Sequence, residues 1–178
     1  SQKGSKLLYA DVSRAYFYAP AVRPVYVNLP EEDRGPEDAG LCGELRVSMY
    51  GTRDAGAIWE SCYTSALVKI GFIQGGASPC CFYHPIWQVN VVVHGDDFTA
   101  LGTAHGLDLH EQGMQKRFEC KLKGRLGFGE KDLKEMRVLN RILRITDDAL
   151  LYEADPRHAE MLIKSFNLEG AKSVVTPG

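Results

Sequence analysis

The run Val91-Val92-Val93-His94-Gly95-Asp96-Asp97-Phe98-Thr99-Ala100-Leu101 constrains the fold more than any other stretch of the chain. Apolar and β-branched residues on both sides of a glycine predict two short strands joined by a tight hairpin, because Gly95 can supply the positive φ that such a turn needs. Two carboxylates then stand at the tip on a rigid base. Gly-Asp-Asp is also an ordinary solvent-facing turn, so the tripeptide alone does not separate a turn from a site. A third carboxylate adds weight: Asp11 lies at the end of Lys6-Leu7-Leu8-Tyr9-Ala10-Asp11-Val12, a second short apolar strand that can lie beside the hairpin in one sheet. Acids gathered at strand ends repel one another unless a cation sits between them, and an all-oxygen set suits hard Mg²⁺.

Two ions held about 3.5 to 4 Å apart by shared carboxylates are the usual arrangement for in-line nucleotidyl transfer. Asp11 and Asp96 are the expected bridging ligands, with Asp97 beside them and the Val12 carbonyl available to a triphosphate-bound ion. The cofactor expectation is therefore two Mg²⁺, with Mn²⁺ as a substitute.

Along the rest of the chain, Ala15 to Pro20 is an aromatic segment closed by proline, and Val25 to Leu29 alternates as a strand does. Residues 30 to 40, with two prolines, two glycines and five acids, predict a surface loop. Leu45 to Tyr50 reads as a strand broken by Gly51. From Asp54 to Ile70, Ala57, Ile58, Ala66, Leu67 and Ile70 fall at helical spacing, with Asp54 as N-cap and Gly71 as stop. Cys80 to His84, Gln88 to Val93 and Phe98 to Leu101 read as strands. A second helix is expected from Ala104 or Leu107 to about Phe118. Met136 to Ile145 and Leu150 to Tyr152 read as strands paired across Asp147-Asp148, and Asp155-Pro156 opens a last helix that stops at Gly170. The order predicts an α+β fold with a mainly antiparallel sheet.

Composition agrees with one globular domain: 178 residues, 44% hydrophobic and 25% charged. No apolar run is long enough to span a bilayer, and the segment from Ser1 to Lys6 lacks the apolar centre of a signal peptide, so a soluble, intracellular protein with no membrane partner is expected. Five cysteines without a CxxC pair suggest neither a disulfide framework nor a zinc site. The net charge is −2, yet residues 114 to 144 carry ten Lys or Arg against four acids. Such a block can track a phosphate backbone, or it can be a solvated surface. His84, His105, His110 and His158 lack ligand spacing and read as structural or surface residues.

With these motifs in place, the sequence resembles the reverse transcriptase of Ty1/copia-type retrotransposon Pol polyproteins over nearly its whole length. Asp11-Val12-Ser13-Arg14-Ala15-Tyr16-Phe17 resembles the first catalytic motif of that family, and Val25-Tyr26-Val27 with Pro30 its next strand. Leu45 to Trp59, through Ser48-Met49-Tyr50-Gly51, is similar to the Leu-Tyr-Gly-Leu-Lys-Gln-Ala-Pro motif. Gly71-Phe72 and Pro79-Cys80-Cys81-Phe82 resemble the stretch before the catalytic hairpin, and His158 to Phe166 with Val174-Val175-Thr176-Pro177 the segment after it. The hairpin itself is His94-Gly95-Asp96-Asp97 where the family has Tyr-Val-Asp-Asp, and Asp54 and Gly56 replace a glutamine and a proline.

The resemblance implies a polymerase palm, ferredoxin-like with helices on one face, over residues 1–147, and the start of a thumb or connection segment over 148–178. It implies RNA-directed DNA polymerase activity, with Asp11, Asp96 and Asp97 as catalytic and metal-holding residues together with Val12. Ser13, Arg14 and Ala15 would line the triphosphate and sugar, and Tyr16 would be the gate that excludes a ribose 2′-hydroxyl. Gly51 would let the backbone approach nucleotide and template, and His94 and Gly95 would support the primer end. Implied partners are an RNA template, a DNA or RNA primer, deoxynucleotides, and the fingers, ribonuclease H and integrase regions of the polyprotein. The implied location is cytoplasmic, in a virus-like particle for an active element, or nuclear. Two alternatives remain open: a transposon-derived remnant that binds nucleic acid without polymerising, and an RNA-directed RNA polymerase, against which Tyr16 stands where those enzymes carry a second aspartate.

Overall fold

Strict alternation of buried and open positions organises the main sheet, since successive side chains of a strand point to opposite faces. The computed structural model describes residues 4–172. Strand β1 (Lys6–Val12) buries Leu8, Ala10 and Val12. After a single 3₁₀ turn, Ala15–Tyr18, come β2 (Tyr26–Asn28) and β3 (Cys42–Glu44), which pair only with each other. Helix α1 (Ala55–Lys69) leads to β4 (Ile73–Gln74), β5 (Cys81–His84), β6 (Val89–His94) and β7 (Asp97–Gly102). Helix α2 (Ala104–Gln115) precedes β8 (Cys120–Leu126). A three-stranded sheet of β9 (Glu135–Val138), β10 (Arg141–Ile145) and β11 (Leu150–Ala154) and helix α3 (Arg157–Ser165) complete the described chain.

The larger sheet has the order β4-β5-β6-β7-β1-β8, with every neighbouring pair antiparallel. Its inward residues, among them Leu8, Val12, Phe82, Val89, Val91, Val93, Phe98 and Ala100, share one core with Trp59, Tyr63 and Leu67 of α1 and Leu107 and Met114 of α2. Both helices therefore cover the same face. A second, smaller core of Leu126, Met136 and Leu143 joins the β9–β11 sheet to the face of the main sheet away from the helices, where Leu7 and Tyr9 pack against it. The expected α+β fold with mainly antiparallel sheets is what the chain adopts.

Several local expectations need correction. Leu45 to Tyr50 is not a strand: β3 ends at Glu44, and only an isolated bridge joins Val47 to Pro20. Pro20 has no N–H to extend that ladder. Met136 to Ile145 is a hairpin rather than one strand, because Leu139 and Asn140 take φ of 46° and 59° and reverse the chain. Asp54 precedes α1 without capping it, its carboxylate being held by Arg23 at 2.9 Å. The buried stripe of α1 is Ala55, Trp59, Tyr63 and Leu67, whereas Ala57 is exposed and Ile58 and Ala66 are half-buried. Gly71 does end α1, with φ of 103°: its N–H reaches the Val68 carbonyl and that of Phe72 the Leu67 carbonyl, a Schellman closure. The last helix stops earlier than Gly170, through Asn167 at φ 53° and the Leu168 N–H on the Ile163 carbonyl. The expected division at 147/148 falls in the turn between β10 and β11, and Val174-Val175-Thr176-Pro177 lies outside the described residues.

Candidate functional site

The open face of the main sheet carries the acids, and register decides which of them meet. Asp11 and Asp97 are direct cross-strand partners in the β1–β7 ladder. Like charges placed opposite one another destabilise a sheet, so this pair demands a compensating donor or cation. Tyr9, two residues before Asp11 on the same face, donates its hydroxyl to an Asp97 carboxylate oxygen at 2.7 Å. Burial, that hydrogen bond and the charges of Asp97, Asp11 and Asp96 hold the Tyr9 phenol well above the usual tyrosine range. All three aspartates thus contribute to one negative field.

The hairpin that presents them turns on two residues, Gly95 and Asp96, between the paired His94 and Asp97. Gly95 takes φ of 63° and Asp96 stays on the negative side, as a turn needing a left-handed residue only at its first central position requires. Two tethers fix this tip. The Trp59 indole N–H donates to the Gly95 carbonyl at 2.7 Å, and the Val12 N–H donates to the Asp96 carbonyl at 2.9 Å. Trp59 is buried against Phe98, Tyr63 and Phe118, so α1 anchors the turn from beneath.

The residues after β1 wrap the same edge. The Ser13 hydroxyl is buried with no hydrogen-bond partner among the described residues. Arg14 adopts φ 54° and ψ 41°, unusual for a side chain of its size, and its guanidinium pairs with Glu119 at 2.9 Å on the surface. Ala15 is fully buried. Tyr16 meets Tyr50 edge-to-face, ring centroids 4.4 Å apart. Burial first, then the charge of Asp96, raises the Tyr50 phenol despite the opposing Ala15 backbone contact. Gly51 follows with φ of 86° and open space where a side chain would stand. His94 and Gly95 are exposed at the hairpin tip.

Sequence-predicted Asp11, Val12, Asp96, Asp97, His94 and Gly95 therefore share one end of the sheet, and Ser13 to Tyr16 and Gly51 flank it. Tyr9, Tyr50 and Trp59 join this site without a motif of their own to mark them. The period of two that puts Tyr9 on the Asp11 face was readable; the contacts of Tyr50 and Trp59 span tens of residues and were not.

Beside Tyr9 and Asp97 opens a cleft of about 560 Å³, which Lys123, Glu135, Met136, Arg137, Leu139 and Asn140 also line. Lys121 is the register partner of Asp11 on the β8 side. Much of the basic block is committed elsewhere: Arg125 pairs with Asp108 and Glu111, Arg137 with Asp155, and Arg144 with Glu135 and Glu153. Lys134 donates to the Gly127 and Gly129 carbonyls. The cysteines carry no disulfide, and burial pushes the Cys120 thiol up to about 11.

As a cation site, the donors are chemically suitable: three carboxylates, the unpartnered Ser13 hydroxyl nearby and a shared negative field. They are not preassembled. Among the described residues no three His, Cys, Asp or Glu side chains converge closely enough to form a metal centre. No helix of the described residues is long and apolar enough to cross a membrane.

The fold is α+β with mainly antiparallel sheets and acids on a helix-free sheet face, and sequence similarity supports a retrotransposon Pol origin. Over 177 residues the chain is 26% identical to the retrovirus-related Pol polyprotein from transposon TNT 1-94 of Nicotiana tabacum. The match covers 94% of this chain and 12% of that polyprotein, so the chain spans about an eighth of the relative's length. No family model matches the chain.

Proposed function

We propose that the chain is the palm-centred part of a reverse transcriptase, adding deoxynucleotides to a primer 3′-hydroxyl on an RNA template. The observation that carries this reading is the register that sets Asp11 opposite Asp97, with Asp96 in the adjoining turn tied to the Val12 amide. The succession β1, α1, β6, β7, α2, β8, with sheet order β6-β7-β1-β8, agrees with a ferredoxin-like palm. Residues 1–147 would be that palm, and 148–178 would begin the segment leading to a thumb.

Asp11, Asp96 and Asp97, with the Val12 carbonyl, would hold two Mg²⁺. Bound there, the ions supply Lewis-acid activation of the primer hydroxyl and neutralise the triphosphate. The chain's own contribution is position and charge. The tethers from Trp59 and Val12 hold the backbone of the hairpin tip, so the carboxylates would have to close on the ions by side-chain movement alone. Arg14 lies beside the sugar and triphosphate path, where breaking its exposed pair with Glu119 costs little and frees a guanidinium for phosphate. Tyr16 closes the path below the sugar. Lys123, lining the cleft next to Asp97, offers charge to a nucleic-acid backbone.

Primer extension on an RNA template with Mg²⁺ and deoxynucleotides, by the polyprotein that carries this chain, tests the reading. Extension by the parent that falls about 100-fold or more in Asp96→Asn is the expected result, since one lost carboxylate removes several kcal/mol of charge stabilisation. The acids' lack of preassembly favours a second reading, a remnant that binds nucleic acid without polymerising. A parent that binds a primer–template duplex but does not extend it supports that remnant and sinks the polymerase.

A further inference from the structure

Tyr16 meets a residue 34 positions later in the chain. Its half-buried ring packs against the main core on one side and meets Tyr50 on the other. Two rings meet Tyr50 edge-to-face: Tyr16 at 4.4 Å and 86°, and Phe17 at 6.0 Å and 81°. Such geometry sets the positive edge of one ring on the negative face of the other and resists rotation of either.

Tyr50 itself is anchored on both sides by backbone. The Ser48 N–H donates to the Ala19 carbonyl, and Thr52 closes a turn by donating both its N–H and its hydroxyl to the Met49 carbonyl. Tyr50 is nonetheless 45% exposed at the mouth of the site, with its hydroxyl against the Ala15 backbone. A fixed backbone on either side places that ring against Tyr16 and Phe17.

We propose that Tyr50 is a positioning residue that holds Tyr16 in its gating orientation and so sets the discrimination between deoxyribose and ribose nucleotides. This rests on the polymerase reading above and deepens it. With Tyr50 shortened, Tyr16 gains freedom to swing aside, and a 2′-hydroxyl finds room. The ring, and not its hydroxyl, does the holding.

The test is single-nucleotide incorporation by the polyprotein carrying this chain, reading kcat/KM for dTTP and for UTP opposite adenine. Tyr50→Ala is expected to lower the dTTP preference about three- to tenfold, the worth of one aromatic pair, chiefly through a lower KM for UTP. Tyr50→Phe restores the parent ratio. In Tyr16→Ala the preference falls as well, and adding Tyr50→Ala to it causes no further fall. If Tyr50→Ala does not fold by thermal melting, Tyr50→Leu is read in its place. Equal losses on both nucleotides, an unchanged ratio, or a Phe variant that behaves like Ala would each overturn the proposal while leaving the polymerase intact. A parent that incorporates neither nucleotide sinks both.

Discussion

Trp59 carries two jobs that a smaller aromatic cannot combine: its ring fills the core beneath the main sheet, and its N–H holds the Gly95 carbonyl at the acidic tip. Trp59→Phe keeps most of the packing and loses the tether. Urea unfolding should show a loss of about 1 to 2 kcal/mol, with Trp59→Ala costing about 3 to 5. Tyr9 works from the opposite face, where its donated hydrogen bond relieves part of the repulsion between Asp11 and Asp97. A phenol held so high stays protonated, so ultraviolet titration of the parent should show one more tyrosine resisting ionisation above pH 11 than Tyr9→Phe does. The three aspartates were legible as candidates because each stands at the end of an apolar run. The residues that hold them in place were not, since a tryptophan on a helix carries no sequence mark of a partner 36 residues away.

Helix α2 seats His110 against the sheet, 2% exposed, with no partner for its Nδ1 among the described residues and its ring edge-on to Phe72. Burial, with the nearby His84 adding to it, lowers its pKa to about 4. Between about pH 4 and 6.5 the unfolded chain binds a proton there that the folded chain refuses. Stability therefore falls as pH drops through that window, by about 3 kcal/mol in all, and His110→Phe should flatten the slope in denaturation curves taken at stepped pH. At the other end of the first helix, Gly71 combines a left-handed φ with a site where an added Cβ would lie 2.7 Å from the His84 ring. Gly71→Ala should lower stability by about 1 to 2 kcal/mol or more, measured by thermal melting. Glycine after a periodic apolar stretch announced that stop in advance. Asp54 misled for a related reason: capping residues are recognised by type, and the type does not reveal that Arg23 has claimed the carboxylate.

At the scale of the molecule, two cores of unequal size hold two sheets. The main sheet closes over both helices, whereas the β9–β11 sheet is joined through only Leu126, Met136 and Leu143 and the half-buried residues around them. Its amides should exchange with solvent faster than those of β1 and β7, and Leu143→Ala should widen that gap while leaving the main sheet protected, by hydrogen exchange. The sequence by itself determined the α+β class, the catalytic-looking hairpin, the end of α1 and the three acids, because these follow from local periodicity, glycine conformations and charge at strand ends. It did not determine that Leu45 to Tyr50 would form only an isolated bridge rather than a strand, or that Leu139-Asn140 would fold one apolar run into a hairpin. Nor did it reveal that Arg125, Arg137 and Arg144 of the basic block would be tied up in ion pairs. Those outcomes depend on which distant donor, carboxylate or ring arrives beside each segment. Cross-strand register decided the site itself: shifting β1 by one residue against β7 would turn Asp11 into the core, and only the assembled sheet sets it opposite Asp97.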